Sequence, residues 1–204
     1  MINSDKRLTD SFYLRSDVVQ IARELLGMKI FTFTNNVITA GIITETEAYS
    51  GMNDKACHAH LGKFTKRTST MYEKGGSAYI YLCYGIHHLF NIVTNIEGKA
   101  DAVLIRAIEP IEGVEVMHER RSVKSKSIKL GSGPGKLTQA LGITKDLNGI
   151  DLTESETIWI ERGDKAIHPN KIIADKRIGI DYAEEDALLH WRFYISQNKS
   201  VSKF

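Results

Sequence analysis

The chain has 204 residues, a formal net charge of +2 and an ordinary globular share of apolar and charged residues. That charge excludes a basic tail or a histone-like condenser, so contact with nucleic acid would have to come from a local patch. No apolar run reaches a membrane span, the N-terminal MINSDKRLTDSFY lacks a signal-peptide core, and Cys57 and Cys83 form neither a CxxC nor a disulfide framework; a soluble protein of the reducing cytosol is expected, with no membrane partner.

Ser16 to Gly27 reads as a helix. Ser16 is a candidate N-cap, Ile21, Leu25 and Leu26 give the apolar stripe, and Gly27 marks the stop. Lys29 to Thr34 reads as a strand, and Asn35-Asn36 turns the chain into a second strand, Val37 to Tyr49. Gly51 to Gly76 is a long polar loop carrying Lys55, His58, His60, Lys63, Lys66, Arg67 and Lys74, and loops of that length in compact domains are usually functional or disordered. Strands follow at Ala78 to Leu82, Leu89 to Asn95 and Ala102 to Ile108, then a helix over Gly113 to Arg121. Ser122 to Gly135 is a second basic loop, with Lys124, Lys126 and Lys129. Pro134 opens a helix to Leu141 that ends at Gly142. Thr157 to Glu161 and Leu189 to Ile195 read as late strands. No linker or repeat interrupts the chain, so one domain is expected. Strands and helices intermix without a βαβ rhythm, which predicts a mixed sheet with peripheral helices.

The end of the second strand, TETEAY, carries the strongest chemical signal. Alternation puts Glu45, Glu47 and Tyr49 on one face, and Thr44, Thr46 and Ala48 on the other. Two acids and a ring pack poorly, but they suit a cleft that holds a polar ligand. Glu47 could activate water as a general base; it could equally be a surface acid, or bind a divalent cation with Glu45. Tyr49, Tyr79, Tyr81 and Tyr84 are core residues with polar tips or stacking platforms for a nucleobase. Tyr84 precedes Gly85, where the chain turns. CHAH (Cys57 to His60) and His87-His88 raise zinc, yet their spacing matches no common structural zinc pattern. Arg106, inside the apolar AVLIRAIEP, needs an acidic or phosphate partner, with Glu109, a core acid, a substrate phosphate or the catalytic acid as candidates. Asn91, if buried, must find hydrogen bonds. The Lys-rich loops suit phosphate contacts as well as a solvated face. Together these features suggest a nucleic-acid enzyme that takes a base between rings. The alternatives are a structure-specific binding module without cleavage and a metal-dependent nuclease or deaminase.

ETEAY (Glu45 to Tyr49), His58, MYEKGGSAYIYLCYG (Met71 to Gly85), Asn91, LIRAIEP (Leu104 to Pro110) and GPGKLTQALGI (Gly133 to Ile143) follow in an order and spacing that resembles the alkyladenine (3-methyladenine) DNA glycosylase family over nearly the whole chain. The resemblance implies a single mixed α+β domain spanning residues 1–204, with a curved, largely antiparallel sheet and peripheral helices. It implies a monomeric intracellular enzyme, cytoplasmic or nucleoid-associated, that needs no cofactor or metal. Such an enzyme cuts the N-glycosidic bond of alkylated purines in damaged double-stranded DNA with water and has no lyase step. On the same resemblance Glu47 matches the general base, and Arg106 the arginine beside the catalytic water. Tyr49, His58 and Tyr81 match the residues around the flipped base, and Asn91 the pocket floor. Tyr84 matches the wedge in the duplex, and Lys63 and Arg67 match basic residues facing DNA. Thr68 and Tyr72 depart from the family's usual Asn and Phe.

Overall fold

The computed structural model describes residues 5–122 and 129–202. Lys124 and Lys126 of the second basic loop lie outside the described residues.

The frame is an eight-stranded sheet in which every described strand pair is antiparallel. Strands β1 (Lys29–Thr34) and β2 (Val37–Tyr49) have the expected bounds. They are joined by Asn35 and Asn36, both at positive φ, the hairpin geometry that Asn tolerates. β3 (Ala78–Cys83) and β5 (Asp101–Glu112) extend beyond their expected limits, and β4 (His87–Thr94) starts two residues earlier and ends one residue sooner than expected. β6 (Ile158–Glu161), β7 (Ile172–Asp175) and β8 (Arg192–Ile195) complete the sheet. The sequence gives no signal for β7, whose four residues are all half-buried or exposed, and β8 starts later than Leu189.

β2 is the spine. Its first half pairs with β1 on one edge, its second half pairs with β8 there, and β5 runs along the other edge. The β2–β5 register shifts on both sides of Glu45: Ile43 faces Ile108, Glu45 faces Ala107 and Thr46 faces Ile105. Such bulges twist a strand and re-aim its side chains, often beside a site.

Helix α1 (Asp10–Tyr13) is a single turn, and α2 (Val18–Glu24) is shorter than the expected Ser16 to Gly27. The N-cap is Asp17, not Ser16, because the Asp17 carboxylate accepts the Gln20 N–H at 2.8 Å. α3 (Val114–Arg120) and α4 (Pro134–Leu141) lie where the sequence puts them, and α4 ends at a left-handed Gly142, φ +69°. Ile21, Leu25, Met117, Leu137 and Leu141 pack with Ile43, Ile80, Phe90, Ile92, Val103 and Ile105 into the main core. Thr46 Oγ1 donates to the Ala22 carbonyl at 2.8 Å and ties α2 to the same sheet face.

The opposite residues of those strands, Glu47 and Tyr49, Tyr79 and Tyr81, Leu89 and Asn91, and Ala102, Leu104 and Arg106, line a cavity of about 800 Å³ on the other face. Strand alternation therefore divides the sheet into a helix-covered core side and a hollow side. The loop 51–76 lies over the hollow side and is partly ordered by 3₁₀ turns at His60–Gly62 and Ser69–Tyr72.

Candidate functional site

Glu47 lies at the junction of β2, β5 and β8 and is fully buried, yet it lines the cavity. Its Oε2 accepts from Arg106 Nη1 at 3.1 Å and from the Tyr49 hydroxyl at 2.8 Å. Its Oε1 accepts the backbone N–H of Ile178 at 2.8 Å. A carboxylate out of bulk water needs such partners, because an unpaired buried charge is expensive. Burial first, then the charge of Glu47, push the Tyr49 phenol well above its usual pKa, so Tyr49 stays a proton donor to that carboxylate.

Arg106 answers its sequence alternatives. It pairs with Glu45 (Nε to Oε1, 3.1 Å) and Glu47 rather than with Glu109, which instead accepts from Asn198. Burial works against the Arg106 charge, but Glu47 and Glu45 outweigh it and raise its pKa. Glu45 is also fully buried and is not part of the cavity lining; it accepts from Arg192 and from both the N–H and the hydroxyl of Ser202.

His58, Tyr79 and Tyr81 form one ring cluster. His58 and Tyr81 meet edge to face at 4.6 Å, and Tyr79 and Tyr81 lie 5.5 Å apart on β3. His58 Nδ1 is 2.9 Å from the Tyr79 hydroxyl, and Arg67 Nη2 is 3.2 Å from His58 Nε2. A guanidinium has only donors, so Nε2 accepts and the neutral His58 carries its proton on Nδ1, donating to Tyr79. Burial, reinforced by Arg67 and Lys63, lowers His58 to a pKa of about 4. Asn91 is buried at the cavity wall, where its side-chain amide donates to the Tyr79 carbonyl at 3.1 Å.

Tyr84 is 91% exposed at the tip of the β3–β4 hairpin, with Tyr84 and Gly85 both at positive φ and Ile86 N–H bonded back to Cys83. It also edges the cavity, so core packing is not its job. Arg67 is exposed and reaches inward, its guanidinium 4.8 Å over the Tyr81 ring. Lys63 is exposed beside a smaller neighbouring hollow, and Thr68 is buried, its hydroxyl fastening the loop to the Lys63 carbonyl at 2.8 Å. Tyr72, the second departure, packs its ring 5.1 Å from Phe64.

Sequence reasoning missed the segment 177–186. Arg177, fully buried, forms an ion pair with Asp54 and donates to the Ala48 carbonyl at 2.9 Å. Ile178 to Ile180 and Tyr182 line the cavity. A backbone N–H that completes a carboxylate's partners leaves no mark in sequence; a lone Arg in KRIGI with an acid in the first loop is the only available hint. Among the described residues no group of three or more His, Cys, Asp or Glu side chains is placed to hold a metal ion. The Cys57 thiol is pushed up to about 12, chiefly by burial. Among the described residues no helix is long and apolar enough to cross a membrane.

Residues 11–199 match the family model of methylpurine-DNA glycosylase. A protein of Clostridium perfringens (strain 13 / Type A) is 46% identical over 97% of this chain and 99% of the relative. One from Chlamydia pneumoniae is 46% identical over 95% and 97%, and one from Natranaerobius thermophilus 43% identical over 95% and 98%. Each carries the name "Putative 3-methyladenine DNA glycosylase".

Proposed function

The chain belongs to the methylpurine-DNA glycosylase family, and within it we propose an enzyme that turns an alkylated purine out of damaged double-stranded DNA into the Glu47 cavity. Family membership makes it a DNA glycosylase of the 3-methyladenine type, a hydrolase of base excision repair. In this reading it works as a monomer.

The observation that carries the reading is the Glu47 carboxylate, fixed by Arg106, Tyr49 and the Ile178 N–H at the wall of a cavity whose lining includes the rings of Tyr49, Tyr81 and His58. A base inside a duplex is out of reach, and extruding it costs a few kcal/mol. Tyr84, projecting from the hairpin tip, fills the gap left in the stack and offsets part of that cost. Lys63 and Arg67 approach the phosphates beside it. Tyr49, Tyr81 and His58 enclose the freed base, with Asn91 at the floor.

A 3-alkylpurine carries a positive charge, so it leaves readily and is attracted to ring faces. The water oxygen bonds to the sugar C1′. The C1′–N bond breaks, its electron pair goes to the departing base, and the water proton goes to Glu47. The sugar passes through an oxocarbenium-like state, as in other glycoside hydrolyses, and the Glu47 charge stabilises it. Arg106 holds the carboxylate in place. Neutral His58 presents no charge to repel the cationic base.

The test is release of free base from duplex oligonucleotides with and without one 3-methyladenine. Release from the damaged duplex alone is expected; equal binding to both with no release would replace the enzyme reading with a binding module.

A further inference from the structure

Arg177 touches nothing in the cavity, yet it is packed against one of the cavity's walls. Its side chain is wholly inaccessible. Tyr49, Ile178, Gly179 and Ile180 line the cavity, and Arg177 is not among the lining residues. The guanidinium carbon lies 4.8 Å from the centre of the Tyr49 ring and 5.2 Å from Trp191. Moving outward from the cavity, the order is therefore the base space, the Tyr49 ring and then a fixed cation. The cation is locked by two hydrogen bonds to Asp54, one to the Ala48 carbonyl and one to the Asp186 carbonyl. Its Nε has no hydrogen-bond acceptor among the described residues.

A second guanidinium shows the contrast. Arg67 lies 4.8 Å from the Tyr81 ring, but it is exposed and part of the cavity lining, so an incoming base or a phosphate can displace it. Arg177 has no such exit.

We propose that Arg177 is a specificity-determining positioning residue: from the rear of Tyr49 it limits the cavity's preference for a cationic base over a neutral one. The proposal rests on the reading that Tyr49 stacks on the flipped base. A ring attracts a cation through its quadrupole, and a cation already on one face competes for that attraction with a charge on the other. A base stacked ~3.5 Å in front of the ring would sit roughly 8 Å from Arg177, near enough for repulsion at the modest effective dielectric of a buried site. A neutral purine loses nothing to this arrangement. A cationic purine keeps its stacking and loses part of its cation–π gain. Arg177 thus evens the response of the cavity to damaged bases of different charge.

The test compares release of 7-methylguanine, which is cationic in DNA, with release of hypoxanthine, which is neutral, from otherwise identical duplexes. Three variants are made: Arg177→Met together with Asp54→Asn, which removes both buried charges; Arg177→Gln, neutral but still a donor to Asp54; and Arg177→Lys, which keeps the charge. The readout is the ratio of kcat/KM for the two bases in one preparation, so a reduced folded fraction cancels. The two neutral designs are expected to raise the cationic-to-neutral ratio by about threefold to tenfold, a part of the full span of a cation–π contact. Arg177→Lys is expected to stay within about twofold. An unchanged ratio in both neutral designs, or an equal rise in Arg177→Lys, overturns the proposal and leaves the glycosylase reading standing. Absence of any base release by the unaltered protein overturns both.

Discussion

Replacing Glu47 by glutamine preserves shape and removes the proposed proton acceptor. The carboxylate accepts from Arg106 and Tyr49 on Oε2 and from Ile178 N–H on Oε1. A glutamine has one acceptor oxygen. Turned toward Arg106 and Tyr49, its amide nitrogen confronts the Ile178 N–H, donor against donor. One buried unsatisfied donor costs roughly 1–3 kcal/mol. Arg106 retains Glu45 at 3.1 Å, so the loss of its second counter-charge falls below the ~3–5 kcal/mol of a fully orphaned buried ion. A total of about 2–5 kcal/mol lies within the ~5–15 kcal/mol stability of an ordinary domain, so the variant should fold with a lowered Tm. The rate should fall by about 10²–10⁴, the contribution of a general base, or ~3–5 kcal/mol of barrier. The assay is single-turnover release of 3-methyladenine from a duplex, run beside thermal melting and duplex affinity. A folded Glu47→Gln protein that releases base within threefold of the parent would falsify the assignment.

Tyr84→Ala, at a 91% exposed position, should change stability by less than about 0.5 kcal/mol. It should weaken binding to a paired lesion more than to an unpaired one; equal losses on both would remove the wedge. Burial, then Arg67 and Lys63, depress the His58 pKa from 6.5 to about 4. An unfolded chain therefore takes up a proton between pH 6.5 and 4 that the folded one refuses. The corresponding stability is complete above pH 6.5 and is lost as pH falls toward 4. An NMR titration should place the His58 midpoint near 4 and move it upward in Arg67→Ala, whereas a midpoint at 6.5 in the parent would contradict the buried neutral ring. Base release should be indifferent to EDTA, since the proposed water is activated by a carboxylate; loss of activity that zinc restores would reinstate the metal-dependent alternative.

Local signals were legible where turn and stop residues bounded a segment. β1 and β2 are joined by the Asn35-Asn36 turn, and α4 is framed by Pro134 and Gly142, so their bounds could be read directly. The face carrying Glu47 and Tyr49 followed from strand alternation, because the bulge at Glu45 leaves both on the cavity side. Segment 177–186 was not legible. Its order comes from distant partners, Lys55 with Glu184 and Glu185, and Arg177 with Asp54 across 123 residues, and no local spacing encodes such pairs. Asp17 took the cap from Ser16 because either residue type serves and only the helix start decides between them.

Tertiary partners also separate two carboxylates that the sequence presents as equals. Glu45 and Glu47 share a strand face and share Arg106. An ionised carboxylate offers about four acceptor positions. On Glu45 Arg106 and Arg192 take Oε1, and the Ser202 N–H and hydroxyl take Oε2, so the group is filled. Its partners come from β5, β8 and the C-terminal segment, and together they brace the Nε side of Arg106. Glu47 has three such partners among the described residues and faces the cavity. One acceptor position therefore remains on the one of the two acids that borders the cavity. The same saturation argues against Glu45 as a metal ligand, because a cation there would have to displace two arginines. Of two acids one residue apart, the fold makes Glu45 a brace for Arg106 and leaves Glu47 able to accept a proton.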